Sequence, residues 1–119
     1  MTQRQVEAAQ RLARNMCQPK TKVTNEQIEA MHNGNFDDSK TLMCYIDCVY
    51  QTFKVIKNGV FDLDNVKMQL EQLPENISQI VLEASIHCKD KAIGTEKCEL
   101  AYNLGKCIFE FDKESFLVP

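Results

Sequence analysis

The sequence has no tryptophan, only four glycines and only three prolines in 119 residues. That scarcity excludes collagen-like and low-complexity chains and argues against a sandwich of many short, turn-linked strands. No apolar run approaches the ~20 residues needed to cross a bilayer. Basic runs are missing as well, with no more than two basic residues adjacent anywhere. Fourteen Lys and Arg stand against seventeen Asp and Glu, a net charge of −3, with the two signs interleaved. Nucleic-acid binding needs a basic footprint, so no nucleic-acid partner is expected. Apolar residues at 44% and charged residues at 26% are ordinary for a folded chain, and disorder is excluded. The length fits one domain, residues 1–119.

What the chain does have is six cysteines. An even count in so short a sequence reads as a disulfide framework made in an oxidising compartment. Met1-Thr2-Gln3-Arg4-Gln5 has no hydrophobic core and is not a signal peptide. The expectation is a secreted, extracellular protein whose signal has been removed, with Met1 an added start.

Apolar residues recur at helical spacing almost throughout. Val6, Ala9, Ala13, Met16 and Cys17 form one stripe of a first helix that is expected to stop at Pro19. Thr24-Asn25-Glu26-Gln27 reads as a capping box opening a short second helix, ended by Asn33-Gly34-Asn35. Residues 39–57 form the longest candidate, with Leu42, Tyr45, Ile46, Val49, Phe53 and Ile56 on one face and Asn58-Gly59 closing it. Leu63, Val66, Leu70 and Leu73 mark a fourth helix, and Pro74 suits the first position of a fifth. Ile77, Ile80, Val81, Ala84 and Cys88 line that fifth helix, and Ala101, Leu104, Ile108 and Phe111 a sixth. The fold class is all-α, six helices with short connections.

Six cysteines allow fifteen pairings. One is discarded on geometry: Cys44 and Cys48 stand four apart on a helix, with Cβ atoms roughly 5–6 Å apart, whereas a disulfide needs about 3.5–4.5 Å. Twelve arrangements remain. A zinc site is disfavoured because the chain has neither CxxC nor HxxxH, so no metal and no cofactor are expected. An enzyme is not expected either. Neither His32 nor His87 has a nucleophile at a recognised spacing, and the calcium loop and Cys-Cys pair of helical phospholipases are absent. Saposin-like and plant lipid-transfer proteins have other cysteine spacings. Asn76-Ile77-Ser78 is a glycosylation sequon, and equally an ordinary helix start.

The intervals are Cys17-x26-Cys44-x3-Cys48-x39-Cys88-x9-Cys98-x8-Cys107. On an acidic, all-helical chain this spacing resembles the insect odorant-binding proteins, whose x3 and x8 intervals are characteristic, and the resemblance covers nearly the whole sequence. Met43-Cys44-Tyr45 and the ending Phe116-Leu117-Val118-Pro119 resemble the branch with a short carboxyl-terminal tail. The resemblance implies a compact six-helix domain around an apolar cavity, with the tail folded over it as one wall. It implies the pairs Cys17–Cys48, Cys44–Cys98 and Cys88–Cys107. It also implies a secreted carrier of small hydrophobic ligands (odorants, pheromones, fatty acids or terpenoids) that delivers them to a membrane chemoreceptor, as a monomer or weak homodimer.

Cavity candidates are Ala13, Leu42, Phe53, Phe61, Met68, Leu73, Ile80, Ala84, Ala101, Leu104 and Ile108, each also readable as plain core. Phe61 and Ile108 match positions that face the ligand in related proteins. Phe116 and Val118 would contribute from the tail, and Tyr50 is a candidate hydrogen-bond donor. Some relatives bind alcohols through hydroxyls two and seven residues after the third cysteine. Here those positions are Tyr50 and Val55, so the pair is broken and a longer, more hydrophobic ligand is expected. Acid-triggered release, associated with the family, would draw near neutral pH on His32 and His87, or else on a carboxyl terminus held by a Tyr or Arg that the sequence does not identify. The same scaffold would serve a lipid or hormone carrier outside olfaction, and a cavity-free secreted domain would use the same staples.

Overall fold

A computed structural model describes residues 1–119. Six α-helices follow one another: α1 Gln3–Thr21, α2 Asn25–His32, α3 Lys40–Thr52, α4 Leu63–Leu70, α5 Glu75–Cys88 and α6 Glu99–Phe111. Strands β1 Ile56–Lys57 and β2 Val60–Phe61 form a small antiparallel hairpin between α3 and α4, pairing Ile56 with Phe61 and Lys57 with Val60. Short 3₁₀ turns at Lys89–Lys91 and Lys113–Ser115 follow α5 and α6.

Two capping boxes start the first two helices. The Thr24 hydroxyl accepts from the Gln27 amide at 3.1 Å, and the Gln27 side chain accepts from the Thr24 N–H at 2.9 Å. Thr2 and Gln5 repeat the arrangement at the start of α1, at 3.2 and 2.8 Å. α1 does not stop at Pro19 but runs two residues further, to Thr21. A proline this close to a helix end forfeits a single backbone hydrogen bond. Lys22, in the left-handed region with φ 65°, then closes the helix with its N–H on the Gln18 carbonyl.

α3 ends five residues before the expected position 57, so α1, not α3, is the longest helix. Lys54 takes φ 62°, its N–H bonding to the Gln51 carbonyl and the Val55 N–H to the Tyr50 carbonyl. This is a Schellman ending with lysine where glycine is usual. The Asn65 side-chain amide donates to the Lys54 carbonyl and ties the turn to α4. Asn58-Gly59 does not close a helix. With φ values of 54° and 76° it makes the tight turn of the hairpin, the geometry Asn-Gly favours.

α3 and α6 form the most extensive helix contact. Leu42, Tyr45, Ile46 and Val49 from α3 and Ala101 and Leu104 from α6 are all fully buried. A Cβ at Gly105 would stand 3.2 Å from Ile46 Cγ2 and 3.3 Å from Phe116 Cε1, so α6 lies as near to α3 and the tail as a glycine permits. The three disulfides are Cys17–Cys48, Cys44–Cys98 and Cys88–Cys107, and no cysteine is free. They tie α1 to α3, α3 to the start of α6, and α5 to α6. No helix is long and apolar enough to cross a membrane.

Candidate ligand-binding cavity

Between α1, the end of α3, α4, α5 and the tail lies a cavity of about 450 Å³, of whose 22 lining residues 15 are hydrophobic. That volume is within the usual range for small-molecule sites. α1 contributes Val6, Ala9 and Ala13 on its inner stripe, where small side chains leave room. Leu12 and Met16 line it from the solvent side, 68% and 55% exposed, which places the mouth along this edge of α1. α4 supplies Val66 and Leu70, α5 supplies Val81 and Ser85, and Ile108 comes from α6.

Of the expected cavity residues, Ala13, Tyr50, Phe53, Leu73 and Ile108 are on the wall. Leu42, Ala84, Ala101 and Leu104 are completely buried in the packed core and do not reach it. Met68 is 64% exposed, because the residues two before and two after it, Val66 and Leu70, hold the inner side of α4. Ile80 stands one position from the lining residue Val81, on a different side of α5. Phe61, in β2, packs half-buried against the core and is not on the wall. Gln10, Val66, Leu70, Val81 and Ser85 are lining residues that sequence reasoning missed, while Val55 and Leu117, named there only as a broken hydroxyl position and as part of the tail, also reach the wall. Ser85 had a signal: it follows Val81 by four and precedes Cys88 by three on one helix face. Only its polarity set it apart from the apolar stripe.

The tail is docked along residues 115–119. Ser115 and Leu117 line the cavity, whereas the expected Phe116 and Val118 do not: Val118, 2% exposed, sits in the packed core, and Phe116 packs against it. Phe116 meets Phe36 and Phe109 edge to face, with ring centroids 5.6 Å apart in both pairs. Three side chains hold the tail backbone. The Gln10 amide donates to the Leu117 carbonyl at 2.8 Å, and the Tyr45 hydroxyl donates to the Pro119 carbonyl. His32 Nε2 lies 3.0 Å from the Val118 carbonyl. A carbonyl only accepts, so Nε2 carries the proton there. The other histidine, His87, stacks on Phe111 with centroids 4.7 Å apart. Asn76 is exposed in the first turn of α5. No three His, Cys, Asp or Glu side chains are grouped to hold a metal ion.

Burial shifts all three tyrosines the same way. The Tyr45 hydroxyl is pushed up to about 12 from an ordinary 10 by burial, with the Arg14 guanidinium pulling the other way. Burial alone raises Tyr50. Tyr102, which donates to the Phe36 carbonyl at 3.0 Å, is raised by burial and then by the carboxylates of Asp38 and Asp37. The native fold therefore keeps these phenols neutral where the unfolded chain would ionise them. Stability is fully present below pH ~10 and falls as pH rises through 10 towards about 12. In an alkaline titration, phenolate absorbance should rise together with loss of helical circular dichroism. Three phenolates appearing near pH 10 with helicity intact would contradict this assignment.

Comparison with known proteins places this geometry. A model of the PBP/GOBP family matches residues 1–111. General odorant-binding protein 72 of Anopheles gambiae is 30% identical over 121 residues, covering 100% of this chain and 99% of that protein. General odorant-binding protein 19a of Drosophila melanogaster is 31% identical over 113 residues, covering 91% of this chain and 77% of that protein. The crystal structure of odorant binding protein 4 from the natural predator Chrysopa pallens matches with a TM-score of 0.94 at 42% identity, over 100% of this chain and 99% of that one. Apis mellifera odorant binding protein 5 matches with a TM-score of 0.89 at 30% identity, over 100% and 98%. With a family model matched over residues 1–111 and relatives matched along the whole chain, the chain belongs to the PBP/GOBP family, that of the odorant-binding proteins.

Proposed function

We propose that the protein is a secreted carrier, not an enzyme, that takes up a small hydrophobic molecule in the cavity and delivers it to a membrane chemoreceptor. The observation that carries this reading is the apolar cavity of about 450 Å³ inside an odorant-binding fold. Its wall offers a water-insoluble molecule a place to shed its hydration, and little chemistry beyond that. The ligand is a long one: of the two hydroxyl positions used for short alcohols in some relatives, the second is Val55 here, and Val55 lines the cavity.

Each methylene moved from water to the wall contributes about 0.8 kcal/mol. Affinity should therefore rise about fourfold per added carbon until the cavity is full. Displacement of a fluorescent probe by a homologous series of aldehydes or esters measures this directly. A rise that levels off at the longest members supports the reading, and a preference for short alcohols overturns the long-ligand part of it. Native mass spectrometry of freshly purified protein is the companion measurement, since a co-purified lipid would identify the ligand class. Failure to take up any hydrophobic probe would overturn the carrier reading as a whole.

A further inference from the structure

Of the eight asparagines, only Asn76 is followed two residues later by a serine or threonine, and no proline stands within or just after Asn76-Ile77-Ser78. The ligand cavity makes no use of this triplet. Asn76 is exposed in the first turn of α5, Ser78 is half-buried, and neither side chain takes part in the fold's hydrogen bonds. Three disulfides also place the chain in an oxidising secretory compartment, where sequons are read.

Asn76 lines a second, open cavity of about 330 Å³, set between the start of α1, the start of α5 and the Lys113–Ser115 turn with the tail. Its character is unlike that of the ligand cavity, since only four of its nine lining residues are hydrophobic. Gln3, Lys113 and Glu114 are exposed and bring amide, ammonium and carboxylate groups to it, while Ile77 and Phe116 give it apolar surface. Gln10 and Leu117 line both cavities, so their 2.8 Å hydrogen bond belongs to the partition between them. A group filling the second cavity touches the tail without entering the ligand site.

We infer that Asn76 carries an N-linked glycan, and that its first N-acetylglucosamine ring seats in this second cavity and braces the tail against α1 and α5. The inference rests on the secretion part of the carrier reading. The donor is an oligosaccharide carried on a polyprenyl diphosphate. The Asn76 side-chain nitrogen bonds to C1 of the first sugar, the bond from C1 to the diphosphate oxygen breaks, and polyprenyl diphosphate leaves with the electron pair. One amide proton passes to a base of the transferring enzyme. Transfer is made on the extended chain, and the exposed position leaves the product room once α5 forms. The short asparagine side chain then tethers the first ring beside the cavity. That ring matches the lining in kind: its hydroxyl and N-acetyl groups meet Gln3, Lys113 and Glu114, and its apolar C–H face meets Ile77 and Phe116.

The test uses the full chain secreted from cultured insect cells behind a leader peptide, with intact mass read before and after glycosidase treatment. The natural sequence should carry the mass of a glycan, Ser78→Thr should keep it, and Ser78→Ala, which leaves Asn76 in place, should lose it. Bare polypeptide mass in protein that still takes up a hydrophobic fluorescent probe overturns the glycan and leaves the carrier reading standing. Glycosylated protein that takes up no probe does the reverse. The seat is tested on protein made with a mannosidase inhibitor and trimmed by an endoglycosidase to a single sugar on Asn76. Its thermal midpoint should stay about 3–5 °C above that of Ser78→Ala, and hydrogen exchange at Lys113–Leu117 should be about fivefold slower. Alanine is the better helix former and the Ser78 hydroxyl holds no bond, so a lower midpoint in that variant belongs to the missing sugar. Equal midpoints and equal tail exchange in the one-sugar and sugar-free proteins overturn the seat.

Discussion

Deleting residues 116–119 should lower ligand affinity by at least tenfold, speed release, and drop the thermal midpoint by roughly 10 °C. The deletion removes Leu117 from the cavity wall and Val118 from a site where only 2% of it is exposed. Burying a valine contributes about 1.5–3 kcal/mol. Each of the three bonds to the tail backbone, from Gln10, His32 and Tyr45, contributes about 0.5–1.5 kcal/mol. A domain of this size loses roughly 3–5 °C per kcal/mol, so even 3 kcal/mol gives the stated shift. The binding loss has a separate cause. Without the tail, Ile108 and Val6 face water and the ligand's apolar body stays partly hydrated. Two milder variants keep the causes apart. Tyr45→Phe removes one hold on the tail without touching the cavity, and should mainly speed release. Leu117→Ala leaves the tail's hydrogen bonds in place and should mainly weaken affinity. A truncated chain that is folded at the assay temperature and binds and releases as before would show that the tail is not a wall of the site.

Periodicity fixes which side of a helix faces inward, and that much of the fold was legible: six helices, the Thr24–Gln27 cap and the buried stripe of α3 all lie where the pattern placed them. The helix ends were less legible: α1 runs past Pro19, α4 stops at Leu70 before the expected Leu73, and α3 stops before position 57. Lysine at 54 carries no glycine-like signal, yet Asn65 and the Schellman bonds hold it in the left-handed region. The hairpin that follows was hidden because Val55, Ile56 and Asn58-Gly59 also read as a helix end. The cavity was harder for a physical reason. Ala13 and Ala84 are both small, apolar, on an inner stripe and completely buried, but Ala13 faces empty space and Ala84 faces packed side chains. Nothing local to either residue separates them; the difference is set by which helices cross beyond. The cysteine pairing shows the reverse. Spacing and helix geometry left twelve arrangements, and a likeness extending along the whole chain was needed to select the three bonds now seen.

Replacing Cys44 and Cys98 together by alanine should cost about 4 kcal/mol and lower the thermal midpoint by roughly 12–20 °C. This bond spans 54 residues, the widest of the three, against 31 for Cys17–Cys48 and 19 for Cys88–Cys107. Chain entropy depends only logarithmically on that span, so the other two should cost about 3–4 kcal/mol each. Cys44–Cys98 also holds a backbone that its residues would not choose. Cys98 starts α6 at φ 73° without any side-chain cap, and alanine there has the same steric penalty with no bond to enforce it. The reason so small a chain needs all three lies in the cavity. A hollow centre forfeits packing contacts that a solid core would make, and the cavity of about 450 Å³ is such a hollow. The three disulfides work against that loss by constraining the unfolded chain. If the bonds offset the hollow, then filling the hollow should offset a lost bond. Ligand at 100 times its dissociation constant contributes about 2.7 kcal/mol, and should recover more than half of the lost midpoint in the Cys44→Ala, Cys98→Ala protein. Differential scanning calorimetry with and without a bound aldehyde reads both numbers. A midpoint change below about 5 °C on removing the bond, or no recovery on saturating the cavity, would separate the staples from the space they surround.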